Sequence, residues 1–336
     1  MAPAAAPRLR IALVADELTR IGLQPDCELR NLTPLNWRWL LRTWRPDIVL
    51  VESAWAGVRN SWKYCIAAYS DVPRRSNRKL EQMVAFARGR GIPTVFWNKE
   101  DGAHFDRFIK SACLFDHVLT VDENCLPRYR AMLPPAATVG TMMFPVQPLH
   151  HAFTGFRFET RRANFLGSYS HHIHDRRRER QRLLFEPAAG ILGLTVFDRN
   201  SDRSSANYRY PQLAGMEVRP VVPVDRTGAI YREFVASLNV NTVEDSPTMI
   251  SRRLMEIMAC GGIAVTTPAL SIERHFAGLV LAIDSEAEAT EQFERLRHGP
   301  SADDLERARA AADLVAREHT WASRLVHLRR LAGLAG

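Results

Sequence analysis

Two patterns alternate along the chain: short runs of consecutive apolar residues, and longer stretches in which apolar residues recur three or four positions apart. The runs at 9–14, 46–52, 93–97 and 116–121 predict buried strands, and the stretches at 35–43, 78–90, 103–113 and 123–132 predict the helices around them. Gly91 closes one of these helices immediately before a strand, the usual place for a residue that tolerates a left-handed backbone. Strands alternating with helices of about ten residues build a parallel, doubly wound sheet. Residues 1–150 are therefore expected to form one Rossmann-like α/β domain.

Residues 150–162 are polar and without period, which sets the domain boundary there. A second alternating set follows, with strands at 164–166, 194–197, 217–219, 237–241, 262–266 and 279–283 and helices at 175–185, 226–235, 247–259 and 286–297. It predicts a second Rossmann-like domain over 151–318. A helical tail rich in Ala, Leu and Arg runs from 303 to about 334, its last part, 319–336, set apart as a terminal helix.

The length supports two domains, since 336 residues exceed the roughly 250–300 at which single cores stop growing. With 46% apolar and 24% charged residues, the composition is that of a soluble globular protein. The opening ten residues lack the apolar stretch of a signal peptide, and no run of about eighteen apolar residues occurs. The expectation is a cytoplasmic protein, at most peripherally membrane-associated. Cysteines 27, 65, 113, 125 and 260 are odd in number and without Cys-x-x-Cys spacing, which argues against a disulfide framework and against structural zinc. A net charge of +8 fits an acidic partner, and a nucleotide diphosphate, an anionic glycan, a membrane surface or a nucleic acid would all satisfy it.

Candidate chemistry concentrates where strands break into polar turns. In residues 239–262 a strand delivers such a turn into a helix, with Ser246 as the expected N-cap and Pro247 as the first helical residue. Free backbone N–H groups at such a start suit a phosphate. At helical spacing Ile250, Leu254, Ile257 and Met258 form an apolar stripe, while Thr248, Arg252 and Glu256, with Arg253 beside them, form a face able to meet a ligand. The bland alternative for that face is a solvated Arg252–Glu256 pair. Gly261 and Gly262 then end the helix and an apolar strand follows, giving a βαβ unit whose loop lies at the carboxyl edge of the sheet, where ligands bind. Gly167 and Ser168 form a small-residue turn after another strand, letting backbone N–H groups approach a phosphate. Arg199 ends a third strand with a guanidinium suited to a diphosphate, or lies on the surface.

In the first half, the strand at 93–97 breaks into Asn98, Lys99, Glu100 and Asp101, with His104 nearby. A helix N-cap by Asp101 is the structural alternative there. Glu52 directly follows a buried strand and must face either a cleft or a buried partner. Trp55 and Trp62 either stack on a sugar or belong to the core. His171, His172 and His174 match no zinc spacing, so no metal site is expected. The arginine run 176–182 lacks interleaved aromatics and reads as an exposed helix face, with Arg176 in reach of a bound phosphate, so a nucleic-acid partner is not expected.

The block Glu-Ile-Met-Ala-Cys-Gly-Gly-Ile-Ala-Val-Thr-Thr at 256–267 resembles the nucleotide-sugar site of retaining, family-4-like GT-B glycosyltransferases. The fuller block at 239–253 is similar to the CgeB-type (spore-maturation) branch. The resemblance implies the GT-B plan: two Rossmann-like domains facing each other across a cleft, donor on the second and acceptor on the first, with a terminal helix crossing back. It implies transfer of a sugar from a nucleotide-diphosphate donor to a glycan, protein or small-molecule hydroxyl, probable retention being the family's outcome, without metal or cofactor beyond the donor. Glu256 would take the ribose hydroxyls; Asn241, Ser246, Pro247, Thr248 and Arg252 would hold diphosphate and sugar, with Gly167, Ser168 and Arg199; and Arg253 would stabilise the leaving group. Many relatives carry a second glutamate eight positions before Glu256, where this chain has Thr248. The Trp-Asn-Lys-Glu-Asp run at 97–101 with its following histidine is similar to the CgeB-type acceptor domain. It would set Glu100, Asp101 and His104 at the cleft mouth, as a base in an inverting reaction or as acceptor-binding and charge-stabilising groups in a retaining one. Glu52, Trp55 and Asn98 would contact the acceptor. The alternative function is a non-catalytic nucleotide- or nucleic-acid-binding module on the same scaffold.

Overall fold

Parallel strands linked by helices make up both halves of the protein. A computed structural model describes residues 8–69, 72, 74–172 and 175–334. The first set is β1 (Arg10–Val14), α1 (Glu17–Leu23), β2 (Glu28–Asn31), α2 (Trp37–Thr43), β3 (Ile48–Glu52), α3 (Arg78–Arg88), β4 (Thr94–Asn98), α4 (Phe105–Ala112), β5 (His117–Thr120), α5 (Leu126–Met132) and β6 (Thr138–Thr141). Its strands lie in the order β2-β1-β3-β4-β5-β6, all parallel. The second set is β7 (Thr160–Gly167), α6 (Asp175–Ile191), β8 (Leu194–Asp198), β9 (Met216–Pro220), α7 (Val224–Glu233), β10 (Phe234–Asn239), α8 (Arg252–Ala259), β11 (Ala264–Thr266), α9 (Leu270–Phe276), β12 (Leu281–Ala282), α10 (Glu286–Arg297), α11 (Ala302–Glu318) and α12 (Trp321–Leu331). These strands, again all parallel, take the order β12-β11-β10-β7-β8-β9.

Each central strand is buried on both faces because helices cover both sides of a parallel sheet. Every residue of β3, β4, β8 and β10 is buried. One core gathers Val49, Val51, Phe96 and Phe108, another Phe165, Val196, Leu238 and Val265, each side chain contributing about 1.5–3 kcal/mol when buried.

The chain divides into one unit of residues 1–143 with 321–336 and another of residues 144–320. The boundary thus lies a few residues before the polar segment. Residues in that segment belong to the second unit because they pack on it: His151 is buried there, and Phe153 lies against Gly261. The chain returns to the first unit at Trp321, whose indole packs edge-on against Trp97 at 5.7 Å. A side chain at Gly22 would collide with that indole. Arg324 Nε donates to the Met143 carbonyl at 3.0 Å.

All five cysteines are free thiols. No helix among the described residues is long and apolar enough to cross a membrane. His174 and the first seven residues lie outside the described residues.

Candidate functional site

In the second sheet the strand order reverses between β7 and β10, and an open α/β sheet receives ligands at the carboxyl ends of the strands flanking such a reversal. Here those ends are Gly167 and Asn239, and one side chain joins them. Arg253, in the first turn of α8, donates from Nε to the Leu166 carbonyl and from Nη1 to Asn239 Oδ1 at 3.2 Å. Its guanidinium lies 4.1 Å over the Phe165 ring. Gly167 makes room for it, since a Cβ at that position would stand 2.7 Å from Arg253 Nη2. Nη2 itself has no hydrogen-bond partner among the described residues.

The helix carrying Arg253 begins later than the sequence predicts. Ser251 is its N-cap, accepting from the Leu254 N–H at 3.1 Å and donating to Asn239 Oδ1 at 2.5 Å. Ser246 instead caps a single turn, accepting from the Met249 N–H at 2.9 Å and the Thr248 N–H at 3.4 Å. The helix does not propagate from there because neighbours take the carbonyls it would need. Ser271 donates to the Met249 carbonyl at 2.7 Å, and His275 Nε2 to the Pro247 carbonyl at 3.1 Å. Both come from α9, an element without a signal in the sequence. Ser246, Thr248 and Ile250 are consequently buried. Asn241 is buried too, donating from Nδ2 to the Thr267 carbonyl at 2.6 Å. It braces the loop, so the donor contact assigned to it is not available to its side chain here.

Three more guanidiniums surround Arg253. Arg199 follows β8, its N–H bound to the Gly167 carbonyl at 2.8 Å, and its side chain is solvent-exposed with no hydrogen-bond or ion-pair partner among the described residues. Arg252 pairs with Glu256 at 2.9 Å. Arg177 donates to Thr242 Oγ1 at 2.6 Å. Burial and neighbouring like charge show in two of these acidities. Burial, followed by Arg177, lowers the Arg253 pKa to about 10. Arg177 is lowered in the same way, by desolvation with Arg199 adding to it. Glu256 stands among them as the carboxylate paired with Arg252.

Glu256 lies on the same face of α8, buried, with the Tyr231 hydroxyl donating to it at 3.4 Å and the His151 imidazole nearby, its Nε2 4.0 Å away. Burial pushes its pKa up, but His151 and the arginines outweigh burial and leave it below the ordinary carboxylate value. The His151 pKa is itself lowered by burial, against the pull of Glu256.

Two members of this site carry no sequence signal strong enough to mark them. Arg177 stands within the run assigned to an exposed helix face. Its neighbours do serve the surface: Arg176 and Arg180 grip Glu244 at 2.6 and 2.8 Å, so Arg176 is occupied there rather than at a phosphate. Tyr210 lies in an irregular segment, yet its hydroxyl is buried without a hydrogen-bond partner, in the field of Arg253, Arg177 and Arg199. Ser168 is half-buried after Gly167. His171 and His172 are exposed, and no group of three or more His, Cys, Asp or Glu able to hold a metal occurs among the described residues.

In the first unit the order reverses between β1 and β3, and several assigned groups prove to be internal. Glu52 is fully buried, accepting from the Asp16 N–H and Thr19 Oγ1, each at 2.5 Å, and from Lys99 Nζ at 3.0 Å. It faces a buried partner, not an acceptor. Asn98 and Asp101 are also fully buried; Asn98 Nδ2 donates to Asp101 Oδ1 at 2.7 Å, Thr120 Oγ1 to Oδ2 at 2.6 Å, and the Tyr129 hydroxyl to Oδ2 at 2.9 Å. These bonds fix the turn after β4 and withhold Asp101 from solvent. Glu100 and His104 remain half-buried at the edge. Trp55 packs edge-on against His104 at 5.2 Å and Phe108 at 5.1 Å, while Trp62 is core.

Burial pushes the Asp101 carboxyl up to about 7, against the hydrogen bonds that favour its anion. An unfolded aspartate titrates at about 4, so the fold holds this proton more tightly. The associated stability is full below about pH 4 and lost as pH rises through about 7, worth at most about 4 kcal/mol. The melting temperature of Asp101→Asn relative to the parent should therefore shift in favour of the variant between pH 4 and 8. A constant difference would show that Asp101 titrates as an ordinary carboxylate.

Residues 176–330 match a family model described as glycosyl transferase-like, a stretch that includes the arginine cluster and Glu256. No curated protein sequence matches the chain. Among solved structures, an alpha-glucosyltransferase in complex with UDP and a 13-mer DNA containing an HMU base is similar at a TM-score of 0.64 and 10% identity, over 97% of this chain and 99% of that one. The T4 phage BGT in complex with UDP and Mn2+ gives 0.59 at 12% identity, over 97% and 100%. An alpha,alpha-trehalose 6-phosphate synthase from Burkholderia multivorans gives 0.55 at 14% identity, over 89% and 74%. At such identities the likeness is one of fold, and the fold is GT-B: two Rossmann-like, doubly wound domains.

Proposed function

We propose that this protein is a glycosyltransferase that moves a sugar from a nucleotide-diphosphate donor to a hydroxyl of a glycan, protein or small molecule. The observation that carries the reading is the cluster of Arg177, Arg199, Arg252 and Arg253, which outnumbers the ion pair Arg252 makes with Glu256, at the switch point of the second sheet, within the segment similar to glycosyl transferases. Sugar departure leaves negative charge on the diphosphate, and guanidiniums already ordered at that point stabilise it as it forms. Glu256, ionised and one helical turn from Arg252, is suited to accept hydrogen bonds from ribose hydroxyls. Glu100 and His104 are the groups left to meet the acceptor. With Asp101 internal, we favour retention, in which no such base is needed, and a CgeB-type affiliation. The arginines supply the charge that a metal would otherwise provide, so we propose a reaction without metal or further cofactor.

The test is nucleoside diphosphate release from a panel of nucleotide sugars, each offered glycan, peptide and hydroxymethylated-DNA acceptors, with and without EDTA. One donor is expected to turn over, with EDTA leaving the rate unchanged. No turnover, together with steeply salt-dependent binding to a random oligonucleotide, would support the non-catalytic module instead.

A further inference from the structure

The first unit presents a basic face that the sugar-transfer reading does not use. On α2 and the turn before it, Leu35 is 97% exposed and Trp39 62% exposed. Trp39 and Arg42 share one face of α2, Leu35 is exposed in the turn before it, and Arg38, Arg42 and Arg45 are all exposed. Helix α3 packs beside α2 through Trp37 and Phe86, whose rings meet edge-on at 5.3 Å, and adds the exposed Arg78 and Lys79, with the exposed Arg90 in the turn that follows it. The Arg90 guanidinium lies 4.1 Å over the Phe86 ring. Glu81 is the one carboxylate in the two helices. Between them and the amino ends of β1, β3 and β4 opens a concavity of about 710 Å³ lined by Arg10, Arg42, Arg45 and Arg90, with Asp47, also in its lining, paired to Arg10 at 3.6 Å.

We propose that this face docks on an anionic phospholipid membrane, with Leu35 and Trp39 entering the boundary between headgroups and acyl chains and the arginines meeting the lipid phosphates. The two exposed apolar side chains decide between acidic partners. Tryptophan suits both an interfacial belt and a stack with an unpaired base. Leu35 has no face to stack on a base and no group for a phosphate, yet gains on entering lipid. Arginines beside it would draw the face to a negative leaflet. The surface belongs to the first unit and the arginine cluster to the second, and the proposal stands or falls independently of the donor reading.

Co-sedimentation of the full chain with vesicles at physiological salt tests it. Binding is expected to phosphatidylcholine vesicles containing a third phosphatidylserine, and to be at least about tenfold weaker with phosphatidylcholine alone. Leu35→Ser with Trp39→Ser should reduce it about tenfold or more, and Arg38→Gln, Arg42→Gln and Arg45→Gln about fivefold each. All these residues are exposed, so circular dichroism and melting temperature should stay parental. Vesicle binding that is absent, or unchanged in the variants, overturns the proposal. So does a face that instead binds a single-stranded oligonucleotide and loses it on Leu35→Ser with Trp39→Ser.

Discussion

Arg253→Ala is expected to lower kcat/KM for the donor by roughly 100-fold or more, the usual effect of removing one preorganised group from a developing negative charge. The side chain is held before any ligand arrives, by the Leu166 carbonyl, Asn239 Oδ1 and the Phe165 ring, so little ordering is left to do at the moment of reaction. Arg253→Lys keeps a charge but not the fork that spans the ends of β7 and β10, and should recover only part of the loss. The substitution also removes charged hydrogen bonds worth about 1.5–3 kcal/mol each, so the comparison is made on protein shown to be folded by circular dichroism. A folded Arg253→Ala protein that transfers sugar at the parental rate removes Arg253 from the mechanism.

Glu256→Gln is expected to separate the two ends of the donor. Loss of a charged acceptor for ribose hydroxyls should weaken a nucleoside diphosphate roughly 10- to 100-fold. Pyrophosphate has no ribose, and in the variant Arg252 loses its counter-ion, so pyrophosphate should bind as well as or better than to the parent. Equal weakening of both ligands would mean that Glu256 acts by organising Arg252 and not by meeting ribose.

The sequence made the central strands legible because each is a run of apolar residues buried on both faces, as in β3 and β8. The two edge strands of the first sheet were harder. The β2 segment Glu-Leu-Arg-Asn and the β6 segment Thr-Val-Gly-Thr contain no fully buried position, and without burial there is no apolar pattern to see. The reversal between β7 and β10 is a property of strand order, which depends on contacts far apart along the chain. Arg252, Arg253 and Glu256 could be found because they share one helix face. Arg177 and Tyr210 reach the same place from separate elements, and only packing joins them. Conversely, Glu52 and Asp101 looked functional because carboxylates at strand ends often are. Whether such a group faces solvent or is held by Lys99, Thr120 and Tyr129 depends on residues remote in sequence. The shift of the helix start from Ser246 to Ser251 has the same origin, since α9 claims the intervening carbonyls.

Calorimetric titration with nucleoside diphosphates and with the matching nucleosides tests the arginine cluster most directly. One nucleoside diphosphate should bind the parent at least about 100-fold more tightly than its nucleoside, and Arg253→Ala should abolish most of that difference. Equal affinity for nucleoside and nucleoside diphosphate, or an undiminished preference in folded Arg253→Ala, would contradict a diphosphate site at the ends of β7 and β10.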